Sequence, residues 1–388
     1  MKRYQAVKRG IILILVWLLL MPIVVHAENQ AVVEVEADAA ILMDAKTGTV
    51  LSEQNADEAK DVAGVSKAMS ILLFLEAIDS GKMSMTDSVS VSEKAASMGG
   101  MQAFLDAGGQ YTVEELMKAV VMISANDACL ALTEHISGSE EVFVQEMNQK
   151  AKTLGLHNTT FENATGAKSA EQQKTSARDV AAVAREILKH DSMLRWSKNY
   201  MDKLVHNDGR ETELVNPNRL IRFYNGANGI QTGSSNTAGY CLAGSATRGE
   251  SSYICVVLGA NNSNGRFEAA SALLDFGFAN YSNLTVAREN EVVKKNAEVQ
   301  GGVEGQINLV AGEDLNLLLK KGEEQNLDKQ LEIQDELAAP LDSDKAVGEL
   351  VVKSGQKELA RIPVYPQKSV EQRSFVNSLL RIIRMWLY

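Results

Sequence analysis

Two apolar runs past the middle of the chain set the strongest limit on its fold. Residues 240–246, "YCLAGSA", and 253–260, "YICVVLGA", are separated by the polar "TRGESS". Each is short, apolar nearly throughout and bounded by turn residues, which reads as a pair of central antiparallel strands. Earlier, "AILM" (40–43) and "TVL" (49–51) flank the turn-rich "DAKTG" and read as another strand pair. Between the two pairs the period changes. From Val65 onward Met69, Leu72, Leu73, Glu76 and Ala77 follow the 3.6-residue repeat of a helix. "TVEELMKAVVMIS" opens with a Thr112-x-x-Glu115 capping box and predicts a helix ending near Ser124. "NDACLALTEHISGS" and "EEVFVQEMNQKAKTLG" are helical too, and Ser176-x-x-Asp179 caps a further helix. Strands, helices, then strands again predict an α+β domain, an antiparallel sheet flanked by helices, over 28–282.

After Tyr281 the texture shifts. Residues 283–366 hold one aromatic, Tyr365, and no Met or Cys. Short runs such as "INLVAG" and "LNLLLKK" alternate with Gly, Asp and Lys turns there, so this stretch is expected to be a small all-β domain. With 388 residues, 45% of them hydrophobic and 23% charged, the chain is globular and long enough for one large and one smaller domain.

Both ends carry membrane signals. Lys2, Arg3, Lys8 and Arg9 precede the apolar run "GIILILVWLLLMPIVV", and small residues stand at the −3 and −1 positions before a break after Ala27. That is the pattern of a secretory signal peptide over 1–27. An uncleaved anchor is the rival, but Pro22 interrupts the run and it lies at the short end for a span. Losing four basic residues takes the net charge from −11 to −15, which excludes a nucleic-acid binder with its basic face. At the other end, residues 367–388 predict an amphipathic helix. Phe375, Leu379, Ile382, Ile383 and Trp386 share one face, and Arg381 and Arg384 lie on the other. Such a helix lies in a membrane interface.

The three cysteines, Cys129, Cys241 and Cys255, sit in apolar sequence and read as buried and inert. Cys241 and Cys255 fall on the two central strand runs, so a disulfide between them stays open. No His/Cys cluster has metal-ligand spacing, and no cofactor is called for.

Three short segments carry the chemistry. They are "GVSK" (64–67), "SAND" (124–127) at a junction of helices, and "NGIQTGSSNTAGYCLAGSA" (228–246), a glycine-rich turn running into a strand. In this order, with flanks such as "AAILMDAKTGTVLSEQNADEAK" and "MNQKAKTLGLHNTTFENATG", they resemble the Ser-x-x-Lys, Ser-x-Asn and Lys-Thr-Gly elements of the penicillin-binding D-alanyl-D-alanine carboxypeptidases. The resemblance covers roughly 38–280 and extends more loosely through the β domain. It implies a β-lactamase/transpeptidase-like fold and a cleft for peptidoglycan stem peptides. In that family the serine attacks the bond between two D-alanines and the lysine takes its proton. A strand lysine faces the terminal carboxylate.

Position by position, this chain keeps Lys67, Ser124, Asn126, Thr232 and Gly233, but the nucleophile position is Gly64 and the strand lysine is Gln231. Glycine cannot form an acyl-enzyme, and losing the nucleophile of a serine hydrolase costs on the order of a million-fold in turnover. The resemblance therefore implies catalytic positions Lys67, Ser124 and Asn126 without their nucleophile, and substrate contacts at Gln231, Thr232 and Gly233. Ser66, Ser70 and Ser124 are the candidate substitutes. Ser354-Gly355-Gln356-Lys357 matches the first motif literally but reads as a hairpin turn. The expectation is a pseudoenzyme of the cell wall, binding stem peptides or serving as a scaffold; the alternative is a working carboxypeptidase with another nucleophile. The retained residues also admit a plain structural reading, as caps and turns. No protein partner is legible.

Overall fold

The computed structural model describes residues 32–166, 173–334 and 336–374. The proposed signal peptide at 1–27 and the part of the C-terminal helix beyond residue 374 lie outside these residues.

One five-stranded antiparallel sheet organises the first domain. Its strands are β1 (Ala39–Asp44), β2 (Val50–Gln54), β3 (Ala227–Ser235), β4 (Gly239–Arg248) and β5 (Ser251–Ala260), in the order β2-β1-β5-β4-β3. The two apolar runs that predicted a central pair are β4 and β5, joined by a tight turn and paired from Arg248↔Ser251 onward. Alternate residues serve different cores, as the two-residue period of a strand requires. Ile41, Met43, Ile254, Val256 and Leu258 pack into the larger, helix-filled core. Leu42, Tyr253, Cys255 and Val257 face the opposite layer.

The larger core is built by α1 (Lys67–Asp79), α2 (Val113–Ile123), α3 (Asn126–Ser137), α4 (Glu140–Thr153) and α5 (Ala177–Ile187). Thr112 and Glu115 form the reciprocal capping box at the start of α2, and Ser176 accepts from the Asp179 amide at the start of α5. The opposite face is covered by α6 (Ser263–Asn280), whose Ala270, Leu273, Leu274 and Phe278 are buried against it.

Cys241 belongs to one core and Cys255 to the other, so the two thiols stand on opposite faces of the sheet. All three cysteines are free and buried, and burial pushes the Cys129 and Cys241 thiols up to about 11 and Cys255 to about 12. The open question of a disulfide closes against it, and none of the thiols is reactive at neutral pH.

Beyond α6 a strand at Tyr281–Ala287 pairs with Leu315–Lys320, and a six-stranded sheet follows. Leu309, Ala311, Val352, Ile362 and Val364 form part of its separate core. Gly355 and Gln356 make the two-residue turn between Gly348–Ser354 and Lys357–Pro366, with Gly355 at φ 59°, so the second Ser-x-x-Lys match is indeed a hairpin. Lys46 ties the β domain to the first by donating to Glu250 at 2.8 Å and to Thr285 Oγ1 at 3.1 Å.

The segment expected to be helical from residue 367 corrects in part. Residues 367–374 are not helical: Val370 bridges to Leu341 and Gln372 to Gly302, and Val370 is buried in the β core. Burial of Val370 in the β core and the two bridges hold this stretch extended, which prevails over the helical pattern expected of it.

Candidate active site

Lys67 is the first residue of α1 and follows a single 3-10 turn, Ala63–Ser66. That placement sets its ammonium at the head of the helix, 2% exposed, where Nζ donates to the Thr165 carbonyl at 2.5 Å. Burial pulls its pKa from the ordinary 10.5 to about 8. No carboxylate is paired with it among the described residues, so desolvation of the charged form dominates.

Gly64 stands one turn before it. A Cβ on Gly64 would lie 3.4 Å from Lys67 Nζ, 3.5 Å from Ser124 Oγ and 3.5 Å from the Thr232 carbonyl oxygen. Position 64 thus points into the meeting place of all three segments singled out in the sequence. Its backbone is outside the left-handed region and a methyl there would meet nothing closer, so no local geometry demands glycine.

Ser124 ends α2 in the left-handed conformation, φ 60° and ψ 36°. A non-glycine residue there is strained by about 1 kcal/mol or more, a cost commonly found where a side chain must be aimed. The turn aims Ser124 into the cleft and starts α3 at Asn126. The Asn126 amide donates through Nδ2 to the Gly99 carbonyl at 2.6 Å, while its buried Oδ1 has no partner within the protein.

The edge strand β3 closes the opposite wall. A Cβ on Gly233 would fall 2.7 Å from the Gly64 nitrogen and 2.8 Å from that of Val65, so only glycine permits this approach of strand to turn. Thr232 and Gly233 line the cleft. Gln231 does not: its carboxamide, buried behind the strand, donates to the Val120 and Val121 carbonyls at 3.1 and 3.4 Å. The expected contact between Gln231 and a substrate carboxylate is therefore corrected. Carbonyls in the last turn of α2 hold this side chain instead.

A second cation of the cleft is Arg266, which the sequence did not single out. It lies in the first turn of α6, is 7% exposed, and donates to the Gly233 carbonyl at 3.1 Å and the Cys241 carbonyl at 3.3 Å. Its Nε has no partner within the protein. Asp61, at the rim, accepts from the Ala63 amide and the Thr237 hydroxyl. The whole cleft has a volume of about 450 Å³, enough for a short peptide end.

The substitute nucleophiles fare unequally. Ser66 donates to the Ala63 carbonyl and accepts from Gln173, and Ser70 donates to the Ala164 carbonyl at 2.7 Å. Both are buried and engaged away from the cleft. Only Ser124 lines it.

The buried lysine has a measurable signature. Between pH 8 and 10.5 the unfolded lysine keeps its proton and the folded one has lost it, so stability rises with pH across that window. Below pH 8 the cost of burying the charge is present in full. Urea unfolding at about pH 7 and about pH 10 is expected to show the wild type gaining about 2–3 kcal/mol relative to Lys67→Met. Parallel pH curves for the two proteins would refute the assignment.

The chain matches two family models: D-alanyl-D-alanine carboxypeptidase over residues 24–262, and the C-terminal domain of penicillin-binding protein 5 over 281–372. It is 40% identical over 352 residues to the D-alanyl-D-alanine carboxypeptidase DacF of Bacillus subtilis, covering 90% of each chain. It is 33% identical to DacC of Escherichia coli, covering 99% of this chain and 97% of that one. Among solved structures, penicillin binding protein 5 from Haemophilus influenzae superposes with a TM-score of 0.73 at 28% identity, over 88% of this chain and 99% of the other.

Proposed function

The chain belongs to the D-alanyl-D-alanine carboxypeptidase family, and from that premise we propose that it is a non-acylating member, an exported cell-wall protein that keeps the peptide cleft without the nucleophile. The observation that carries this reading is the geometry at Gly64. The position that faces Lys67, Ser124 and the β3 edge offers no oxygen. The serines adjacent to Lys67 in sequence are bonded elsewhere, which favours this reading over a working carboxypeptidase with a substitute nucleophile.

Binding is supported by what remains unpaired. A buried amide oxygen on Asn126 and a buried guanidinium nitrogen on Arg266 both belong to residues lining the cleft. Buried polar atoms are nearly always satisfied, and a ligand satisfies them here. A peptide ending in D-Ala-D-Ala supplies a backbone N–H for Asn126 and a terminal carboxylate for Arg266, in the role first expected of Gln231. Residues 1–27 and 375–388 would place the protein on the outer face of the cytoplasmic membrane.

Three outcomes follow. Purified protein is expected to form no penicillin adduct by intact mass, whereas Gly64→Ser with Gln231→Lys gains one. The serine Cβ meets nothing within 3.4 Å, and a lysine ammonium suits the helix-end carbonyls that Gln231 now occupies. A stoichiometric adduct on the wild type overturns the non-acylating reading. NMR titration with a D-Ala-D-Ala peptide is expected to give millimolar affinity, weakened about fivefold by Asn126→Ala. Absence of any shift near Lys67, Asn126 or Thr232 would leave a scaffold. Deleting residues 375–388, beyond the docked Val370 and Gln372, is expected to release the processed protein from membranes with its unfolding midpoint unchanged; retention of the truncated protein would mean that the N-terminal segment anchors it.

A further inference from the structure

Three polar atoms of different character converge in front of Gly64. They are the Lys67 ammonium nitrogen, the Ser124 hydroxyl and the Thr232 carbonyl oxygen, all 3.4–3.5 Å from the point where a Cβ would stand. A side chain at 64 would occupy this place; with glycine it opens directly onto the cleft, which the same residues line. A buried water is held where a polar site offers two to four partners. A water held in this place would have all three atoms around it. It donates to the Thr232 carbonyl and to the neutral Lys67 amine or the Ser124 hydroxyl, and keeps a lone pair for the cleft.

From this convergence we infer that Gly64 makes a site for a nucleophilic water, and that the protein hydrolyses labile acyl esters in its cleft by direct attack, with no acyl-enzyme. The inference rests on the peptide-binding reading above. The substrate class is a peptide ending in D-Ala-D-lactate, whose ester is more easily cleaved than the amide of D-Ala-D-Ala. The water oxygen attacks the D-alanyl carbonyl and gives its proton to the neutral Lys67 amine. The ester C–O bond then breaks, and the departing lactate alkoxide takes a proton from the Lys67 ammonium, relayed by the Ser124 hydroxyl. One water is consumed, a carboxylic acid and a hydroxy acid are released, and nothing is oxidised or reduced.

The base is suited to the task. Lys67 already donates one hydrogen bond to Thr165 and is desolvated, so near pH 8 a large share of it is unprotonated. A serine hydrolase deprived of a catalytic residue keeps roughly 10³–10⁴-fold acceleration over water from its remaining groups, and that sets the scale expected here. Amide turnover at such a level is too slow to detect, so this activity is compatible with the absence of carboxypeptidase activity.

The test uses the processed protein with an acetylated peptide ending in D-Ala-D-lactate, following lactate release. Wild type is expected to hydrolyse it on the order of 10³-fold faster than buffer, without a mass adduct, and with a rate that climbs up to about pH 8 and then levels. Gly64→Ala places a methyl in the space the water needs, and is expected to lose tenfold or more. Lys67→Met is expected to lose the rate and the pH dependence together. A wild-type rate equal to buffer overturns the inference, as does a Gly64→Ala variant as fast as wild type. Peptide binding without hydrolysis would sink this inference alone, whereas no binding at all would sink the reading it rests on.

Discussion

The cleft exists because strand β3 lies against the turn before α1 with no side chain between them. At Gly233 the separation is so small that a single methyl would collide with the amides of both Gly64 and Val65. This approach sets everything around it. It brings the Thr232 carbonyl beside position 64, lets Arg266 reach under the strand to the Gly233 carbonyl, and leaves Gln231 pointing back toward the end of α2. The left-handed turn at Ser124 completes the same corner from the helical side. A backbone contact of this kind does not depend on which side chain occupies position 64. That is why the corner can persist when its nucleophile is glycine.

The retained residues need not share one reason for being there. Asn126 starts α3 and its Nδ2 secures the Gly99 carbonyl, which a purely structural role explains. That role leaves Oδ1 buried and unpaired, a cost of roughly 1–3 kcal/mol with no structural return. Lys67 makes the same point more strongly. Its aliphatic stem can serve the core, but a methionine would fill that space without a charge to desolvate. A buried lysine facing a cleft, with its pKa drawn down by desolvation, is an arrangement that suits a base. The unpaired groups and the desolvated amine together support the proposed ligand-binding reading over a vestige.

Much of this was legible in the sequence because it rests on periodicity and short-range chemistry. The apolar runs gave β4 and β5, the Thr112/Glu115 box gave the start of α2, and the turn at Gly355 explained away a misleading motif. What escaped depends on how the elements pack. Arg266 sits in "NNSNGRFEA", a stretch with no motif, and matters only because α6 crosses beneath β3. The direction of Gln231 depends on the end of a helix more than a hundred residues away in sequence. The opposed faces of Cys241 and Cys255 follow from where the turn sets the register: Gly244 pairs with Cys255, and Cys241, three residues from Gly244, falls on the other face. Val370 looked like the approach to a helix, and its partner Leu341 is far behind it in the chain.

Position 64 is where the three segments of the cleft meet. Were glycine there a structural need, the backbone would be left-handed or a neighbour would press within 3 Å, as happens at Gly166, where φ is +64° and a Cβ would lie 2.3 Å from the Ala63 carbonyl. Neither holds at Gly64. Glycine also costs a few tenths of a kcal/mol or more against serine within a helical turn. The residue is thus neither required by the fold nor favoured by local propensity. What it changes is chemistry alone: it removes an oxygen from the one point that a lysine, a serine and a strand carbonyl all face, and leaves that point open to a molecule from solvent.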